Sequence, residues 1–315
     1  FDYRNSSARP PYENEVTPMG DIIQLNNIPA QSSEAFQRWY QFTYTNTAEY
    51  KFNINDKHDF SFLLGQESII TRNHNFSVAT SGQPNATQNL LTQGTTVTLS
   101  GVGHGKYEYI MNSYFLTGSY SFDERYFLDF AVRRDGSSKF AKDHRWGTFY
   151  SIGAMWNIKK EQFMQNINWL SDLKLRLNYG TAGNSSGIGN YDYIGTVGTG
   201  SIYNGNTSWG ISGLANDKLT WETIKAFNAG LDFGFLNNRL RTSVDFYVKN
   251  TEDMLMSVPF SCTTGWTSAA ANCGSMRNIG VDVDFGADIF QNKDWYVGVD
   301  INFNYNKNTI TELFN

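Results

Sequence analysis

Few side chains in this 315-residue sequence have types and spacings that could do chemistry. Asp282, Asp284, Asp288 and Asp300 crowd one C-terminal stretch at even positions. Carboxylates so placed repel one another unless cations stand opposite, and their oxygens suit a hard ion such as calcium. Arg133, Lys174, Arg176 and Arg241 are cations in comparable settings, able to clamp carboxylates or other anions. Cys262 and Cys273 are the two cysteines, eleven positions apart. In an oxidising location they are expected to close a disulfide worth roughly 2–3 kcal/mol. Tyr203, Trp209 and Trp266 lie among Gly, Asn, Ser and Thr, where rings can stack on sugars or pack within their own loops. No catalytic set is complete. His58, His74, His104 and His144 lack metal-ligand spacing. Residues 101–106, Gly-Val-Gly-His-Gly-Lys, imitate a phosphate loop, but Tyr107 stands where Ser or Thr is needed. Neither enzyme activity nor a resident cofactor is expected, calcium at the acidic stretch being the one exception to test.

These residues need a scaffold, and alternation identifies it, because successive strand side chains point to opposite faces. Over 40–54 the even positions read Tyr40, Phe42, Tyr44, Asn46, Ala48, Tyr50, Phe52 and Ile54. The odd positions read Gln41, Thr43, Thr45, Thr47, Glu49, Lys51 and Asn53. One face is apolar and the other polar for far longer than the 5–6 residues of an ordinary strand. The same pattern recurs at 113–122, 126–133, 150–158, 173–179, 227–235, 240–248, 279–289 and 295–305, with a weaker strand around 60–64. About ten strands result. The four acids and four bases named above, with Asp232 and Asp245, fall on the polar faces.

Composition agrees. Charged residues are only 17% and aromatic residues 16%, against roughly 25% charged in soluble domains. No apolar run approaches the ~18 residues of a membrane helix. Abundant aromatics exclude a disordered chain. A net charge of -5 with no basic patch argues against nucleic acid.

The connections alternate between tight turns (55–58, 123–125, 236–238, 291–293) and long polar loops (74–106, 136–146, 182–221, 251–276), while 159–172 is expected to hold a helical turn around 163–170. Tyr120, Phe122, Tyr126, Trp156, Phe235 and Trp295 gather at strand ends, as interface girdles do. The fold class is therefore all-β: a transmembrane antiparallel up-and-down β-barrel with short periplasmic turns and long outer loops. Residues 36–308 form its strands, 1–35 an outer segment and 309–315 the start of the next outer loop. The first strand descends into a short turn and the last ascends from one, so both ends face outward. The chain reads as an internal slice of a larger wall. The charged polar face is read first as a hydrated wall packed against a plug, and second as a selective channel lining.

Four ordered blocks resemble the SusC/RagA-type TonB-dependent outer-membrane transporters. They are Arg133-Arg134-Asp135-Gly136-Ser137-Ser138-Lys139-Phe140 with 145–149; 169–176 continuing through Gly183-Asn184 to Ile188-Gly189-Asn190-Tyr191; Leu219-Thr220-Trp221-Glu222-Thr223 with 228–240; and Val258-Pro259-Phe260, Thr264-Gly265-Trp266 and 272–280. The matches run from about 107 to 308, and Cys262 and Cys273 depart from the family pattern.

This resemblance implies a barrel of about 22 strands around a plug, a source among the Bacteroidota, and a place in the outer membrane. It also implies a SusD-like surface lipoprotein as lid, TonB acting through a plug that has no counterpart here, and uptake of glycans or peptides. Lipid and substrate are the expected contacts. A passive porin, a surface adhesin or a ten-stranded surface protease are the rival readings. The protease would need rim carboxylates beside a histidine, and Asp143 with His144 is the one such pair.

Overall fold

The computed structural model describes residues 2–6, 15–16, 22–23, 31–82 and 90–313. Its strands are β1 (Asp2–Ser6), β2 (Glu15–Val16), β3 (Ile22–Ile23), β4 (Gln31–Ile54), β5 (His58–Ser81), β6 (Thr96–Phe122), β7 (Tyr126–Ser137) and β8 (Trp146–Asn157). There follow β9 (Leu170–Asn184), β10 (Thr196–Tyr203), β11 (Asn206–Gly213), β12 (Glu222–Phe235), β13 (Leu240–Glu252), β14 (Leu255–Pro259), β15 (Ser268–Asn272), β16 (Ser275–Gln291) and β17 (Tyr296–Glu312).

Eleven of them form one sheet in the order β1-β4-β5-β6-β7-β8-β9-β12-β13-β16-β17. All ten alternating segments read from the sequence lie in it, and β1, inside the expected outer segment 1–35, is an addition. The rest of that segment lies largely outside the described residues. Neighbours in the sheet are neighbours in sequence apart from the excursions β2–β3, β10–β11 and β14–β15, the up-and-down order. Among the described residues no helix is long and apolar enough to cross a membrane. Spanning falls to strands, whose backbone groups pair with adjacent strands.

The chain divides into two units, one of residues 1–43 and 69–110, the other of 44–68 and 111–315. In the second, large apolar side chains such as Tyr44, Tyr50, Tyr114, Ile152, Phe227 and Phe303 stand exposed on one face of the sheet, Tyr50 at 68%. That exposure is costly in water and suited to lipid.

Tight turns close one rim of this unit. Lys57 donates its N–H to the carbonyl of Ile54, and Arg125 to that of Phe122. Between them Asn55 and Asp56, then Asp123 and Glu124, all have φ of 51–55°. Two successive residues at positive φ make the type I′ turn, whose twist matches that of the strands. In 292–295, Asn292 Oδ1 instead accepts from the N–H groups of Asp294 and Trp295.

The β8–β9 connection holds two 3-10 turns, Ile158–Lys160 and Gln162–Met164, in place of a helical turn over 163–170. Between them Glu161 accepts from the Tyr126 hydroxyl at 2.6 Å, the Trp156 indole at 3.1 Å and Arg125 at 3.3 Å. The Tyr126 hydroxyl and Trp156 indole hold its carboxyl below the usual glutamate range. Stacked rings of Phe122, Tyr126 and Trp156 continue this girdle.

The long connections correct several expectations. β5 continues to Ser81 and β6 begins at Thr96, so strand occupies most of 74–106. Here polar and small residues occupy both parities, and the polarity alternation that marks a strand fades. The loop 182–221 holds the hairpin β10–β11, and 251–276 holds β14–β15. β17 runs to Glu312, past the expected start of an outer loop at 309.

Candidate functional site: a charged polar face and an interlocked outer rim

The polar face of the second unit is built from cross-strand clamps. Arg133 on β7 donates to Asp135 at 2.7 Å, to Ser113 on β6 at 2.8 Å and to Glu67 on β5 at 3.1 Å. Ser113 and Asp135 are buried. Arg176 on β9 makes two forked bridges, to Asp232 on β12 at 2.8 and 2.9 Å and to Asp245 on β13 at 2.9 and 3.1 Å. Gly230 stands directly between Arg176 and Asp245 in the ladder. A Cβ there would meet both side chains, so the missing side chain lets the guanidinium cross a whole strand. Arg241 bridges Asp288 at 2.9 and 3.2 Å, and Tyr296 donates to the same carboxylate at 2.7 Å. Lys174 pairs with Asp172 at 2.7 Å.

All four predicted wall cations are thus neutralised locally, Arg176 and Arg241 by acids already expected on this face, Arg133 and Lys174 by Glu67, Asp135 and Asp172, which the sequence reading did not single out. Parity alone could have flagged Glu67 and Asp135, which share the odd face with Arg133.

The four acids are dispersed along the ladder. Asp282 lies across from Asn304, Asp284 from Asn302, Asp288 from Gly298 and Asp300 from Gly286. Asp282 accepts from Asn304, and Asp300 lies 4.0 Å from Arg241. Amides and glycines interleave these carboxylates between β16 and β17, while on the β13 side Asp282 faces Asp245, whose charge is shared with Arg176. Among the described residues no group of three or more His, Cys, Asp or Glu is placed to hold a metal. Asp284 and Asp300 instead line a concavity of about 370 Å³ with Asp172, Asp232 and Arg241.

The outer rim is interlocked. Phe140, Phe149, Ile188, Leu219, Trp221 and Leu255 form a buried cluster, with Phe140 and Leu219 fully enclosed. Trp221 Nε1 donates to the carbonyl of Arg145 at 3.0 Å. Lys139 Nζ reaches the carbonyls of Ser185 and Ile188, both at 3.0 Å, and burial pushes its pKa down. Asn272 and Thr220 exchange two hydrogen bonds of 2.8 Å. Glu222 accepts from Asn184 and from the N–H of Leu255. Gly147 and Gly183 leave room for the Phe149 ring, which a Cβ at either would strike. The four sequence blocks, far apart in the chain, are therefore one packed network.

Tyr203 and Trp209 are exposed at 79% and 77% on the hairpin β10–β11, and the register sets them on opposite faces. Trp209 shares its face with Ile211 and Val197, both exposed. Trp266 is half-buried at the tip of β14–β15. Among the described residues no ring contact joins the three. The Cys262–Cys273 disulfide is not formed: Cys273 is a free thiol. Cys262 lies beyond the Pro259–Ser268 end of its hairpin, while Cys273 adjoins the Leu255–Asn272 end. Four rungs separate those ends, about 13 Å, against under ~7 Å between bridged Cα atoms.

The TonB dependent receptor-like, beta-barrel family matches residues 1–314. The chain belongs to this TonB-dependent receptor family. TonB-dependent receptor P39 of Formosa agariphila is 30% identical over 324 residues, covering 99% of this chain and 30% of that protein. TonB-dependent receptor SusC of Bacteroides thetaiotaomicron is 38% identical over 208 residues, covering 64% of this chain and 21% of that protein. The structure of the RagAB peptide transporter superposes with a TM-score of 0.83 at 42% identity, covering 90% of this chain and 32% of that one. The chain thus spans less than a third of the length of these relatives.

The receptor wall is of the SusC/RagA type, its place is the outer membrane, and its relatives are receptors and transporters rather than enzymes. In such a receptor the apolar face meets lipid and the clamped polar face lines the barrel interior.

Proposed function

We propose that this wall belongs to a TonB-dependent importer of oligomeric nutrients, peptides in the first place. A SusD-like lipoprotein closes its outer end and TonB acts through a plug outside this chain. The observation that carries the reading is the 42% identity to the RagAB peptide transporter over 90% of the chain. Neutralised arginines on the polar face suit it, because they offer polar contacts without a strong anion trap. The exposed Val197–Trp209–Ile211 face is the surface for the lipoprotein lid. Tyr203, Trp209 and Trp266 are the substrate-contact candidates of the outer rim. Arg133, Lys174, Arg176, Arg241, Asp282, Asp284, Asp288 and Asp300 act as lining rather than as a binding site.

The test is affinity purification of the full-length receptor from its native outer membrane. Mass spectrometry should find a co-purifying surface lipoprotein and bound oligopeptides. Bound oligosaccharides would move the substrate to glycans, where the exposed rings supply stacking. A receptor that purifies without a lipoprotein and conducts without TonB would overturn the reading in favour of a passive pore.

A further inference from the structure

The first unit carries a second charged cluster, on the even-numbered face of its strands. Arg38, Tyr40 and Phe42 on β4, Arg72, His74 and Phe76 on β5, and His104, Lys106 and Glu108 on β6 share that face by alternation. Their contacts set the rungs. Arg72 bonds Glu108, the Phe36 and Phe76 rings are 5.5 Å apart, and Gly105 lies against Asn75 and Gly103 against Ser77. Arg38, His74 and Lys106 therefore form one row across three strands spaced about 4.8 Å apart. The charges of Arg38, Lys106 and His104 all act on His74, whose Nε2 is 3.0 Å from that of His104. Arg38 and Lys106 are exposed.

No carboxylate stands in this row. Glu108 is engaged by Arg72, and Glu34 is four residues along β4 from Arg38, about 13 Å. The next rung holds Tyr40 with the self-neutralised Arg72–Glu108 pair, and Phe42 follows; both rings are exposed, with the Arg38 guanidinium 5.1 Å above the Tyr40 ring. An apolar stripe that ends in an aromatic ring and then a basic row has the order of a membrane interface. Two histidines this close could chelate a transition ion, but Arg38 and Lys106 on either side repel a cation and attract an anion.

We propose that Arg38, His74 and Lys106 hold the phosphate of an anionic lipid in the outer leaflet, with its acyl chains lying along Tyr40 and Phe42. Arg38 and Lys106 supply charge-assisted hydrogen bonds, and His74 donates between them.

The test uses the full-length receptor in detergent, with lipid A added either phosphorylated or stripped of its phosphates, read by native mass spectrometry. The phosphorylated lipid should be retained at least ten-fold better, as one charged contact worth about 1.4 kcal/mol predicts. The double substitution Arg38→Gln with Lys106→Gln should abolish that preference while the barrel stays folded by heat-modified gel mobility. Lys51→Gln, on the other face of β4, should leave it unchanged. Equal retention of the two lipids, or a preference that survives the double substitution, overturns the proposal. Complete competition by inorganic phosphate with no preference between the lipids overturns the lipid assignment.

Discussion

The indole N–H of Trp221 donates to the main-chain carbonyl of Arg145 at 3.0 Å, joining segments 76 residues apart. Around it Phe140 and Phe149 pack at 5.2 and 5.6 Å between ring centroids. Trp221→Ala should cost about 3–5 kcal/mol, whereas Trp221→Phe should lose only about 1–2 kcal/mol for the hydrogen bond. Urea unfolding followed by gel mobility measures both. Equal midpoints for the two variants would refute the role given to the ring.

Gly183 faces the Phe149 ring with no room for a Cβ. Gly183→Ala should therefore destabilise the rim by about 1–3 kcal/mol through overpacking. In a Phe149→Leu background the same change should cost much less. A double-mutant cycle with no coupling would show that the glycine serves something else.

The bridge from Arg176 to Asp245 passes over Gly230. Gly230→Ala should break the coupling between Arg176 and Asp245 and leave that between Arg176 and Asp232 largely intact. Coupling energies on the order of 0.5–3 kcal/mol are accessible to paired Asn and Gln substitutions. Unchanged coupling to Asp245 would contradict the strand-crossing geometry.

Glu161 is held below the usual glutamate range by Tyr126 and Trp156. A carboxyl depressed in the folded state adds stability above its unfolded pKa, and that stability is lost as pH falls through the folded value. Hydrogen exchange of 158–165, corrected for intrinsic rate, should stay slow at neutral pH and rise under more acidic conditions than free glutamate titration would give. Glu161→Gln should exchange faster at neutral pH and show no such acidic transition.

With the hairpin keeping Cys262 and Cys273 at opposite ends, alkylation without reductant should add two labels per chain, and prior reduction should add none. Labelling only after reduction would restore the disulfide.

The wall was legible because each strand faces two solvents: in 40–54 and 279–289 parity sorted lipid-facing from water-facing residues. Where polar and small residues fill both parities, as in the distal parts of β5 and β6, that sorting fails and strand reads as loop. The hairpin β10–β11 was hidden in the same way among Gly, Ser and Thr. Parity also set Arg176, Asp232 and Asp245 on one face. It could not show that Gly230 opens the path between them, since that depends on cross-strand register. The rim blocks were recognisable as blocks, but their mutual contacts, Lys139 to Ile188 or Asn272 to Thr220, arise only when the strands align. The acids read as crowded without relief because sequence alone could not show that register sets Arg176 and Arg241 among them.

The type I′ turns at 55–56 and 123–124 carry a consequence for how such a protein can change over generations. Side chains alternate with period two, so a residue gained or lost there without a matching change of turn type would slip the strand register by one and show the apolar coat to water. The opposite rim has no such rule, because its connections already leave the sheet and return. Insertion is thus easiest at the end that meets the environment, while on the rim of tight turns the longer β8–β9 connection, with its two 3-10 turns, is where added length can be absorbed.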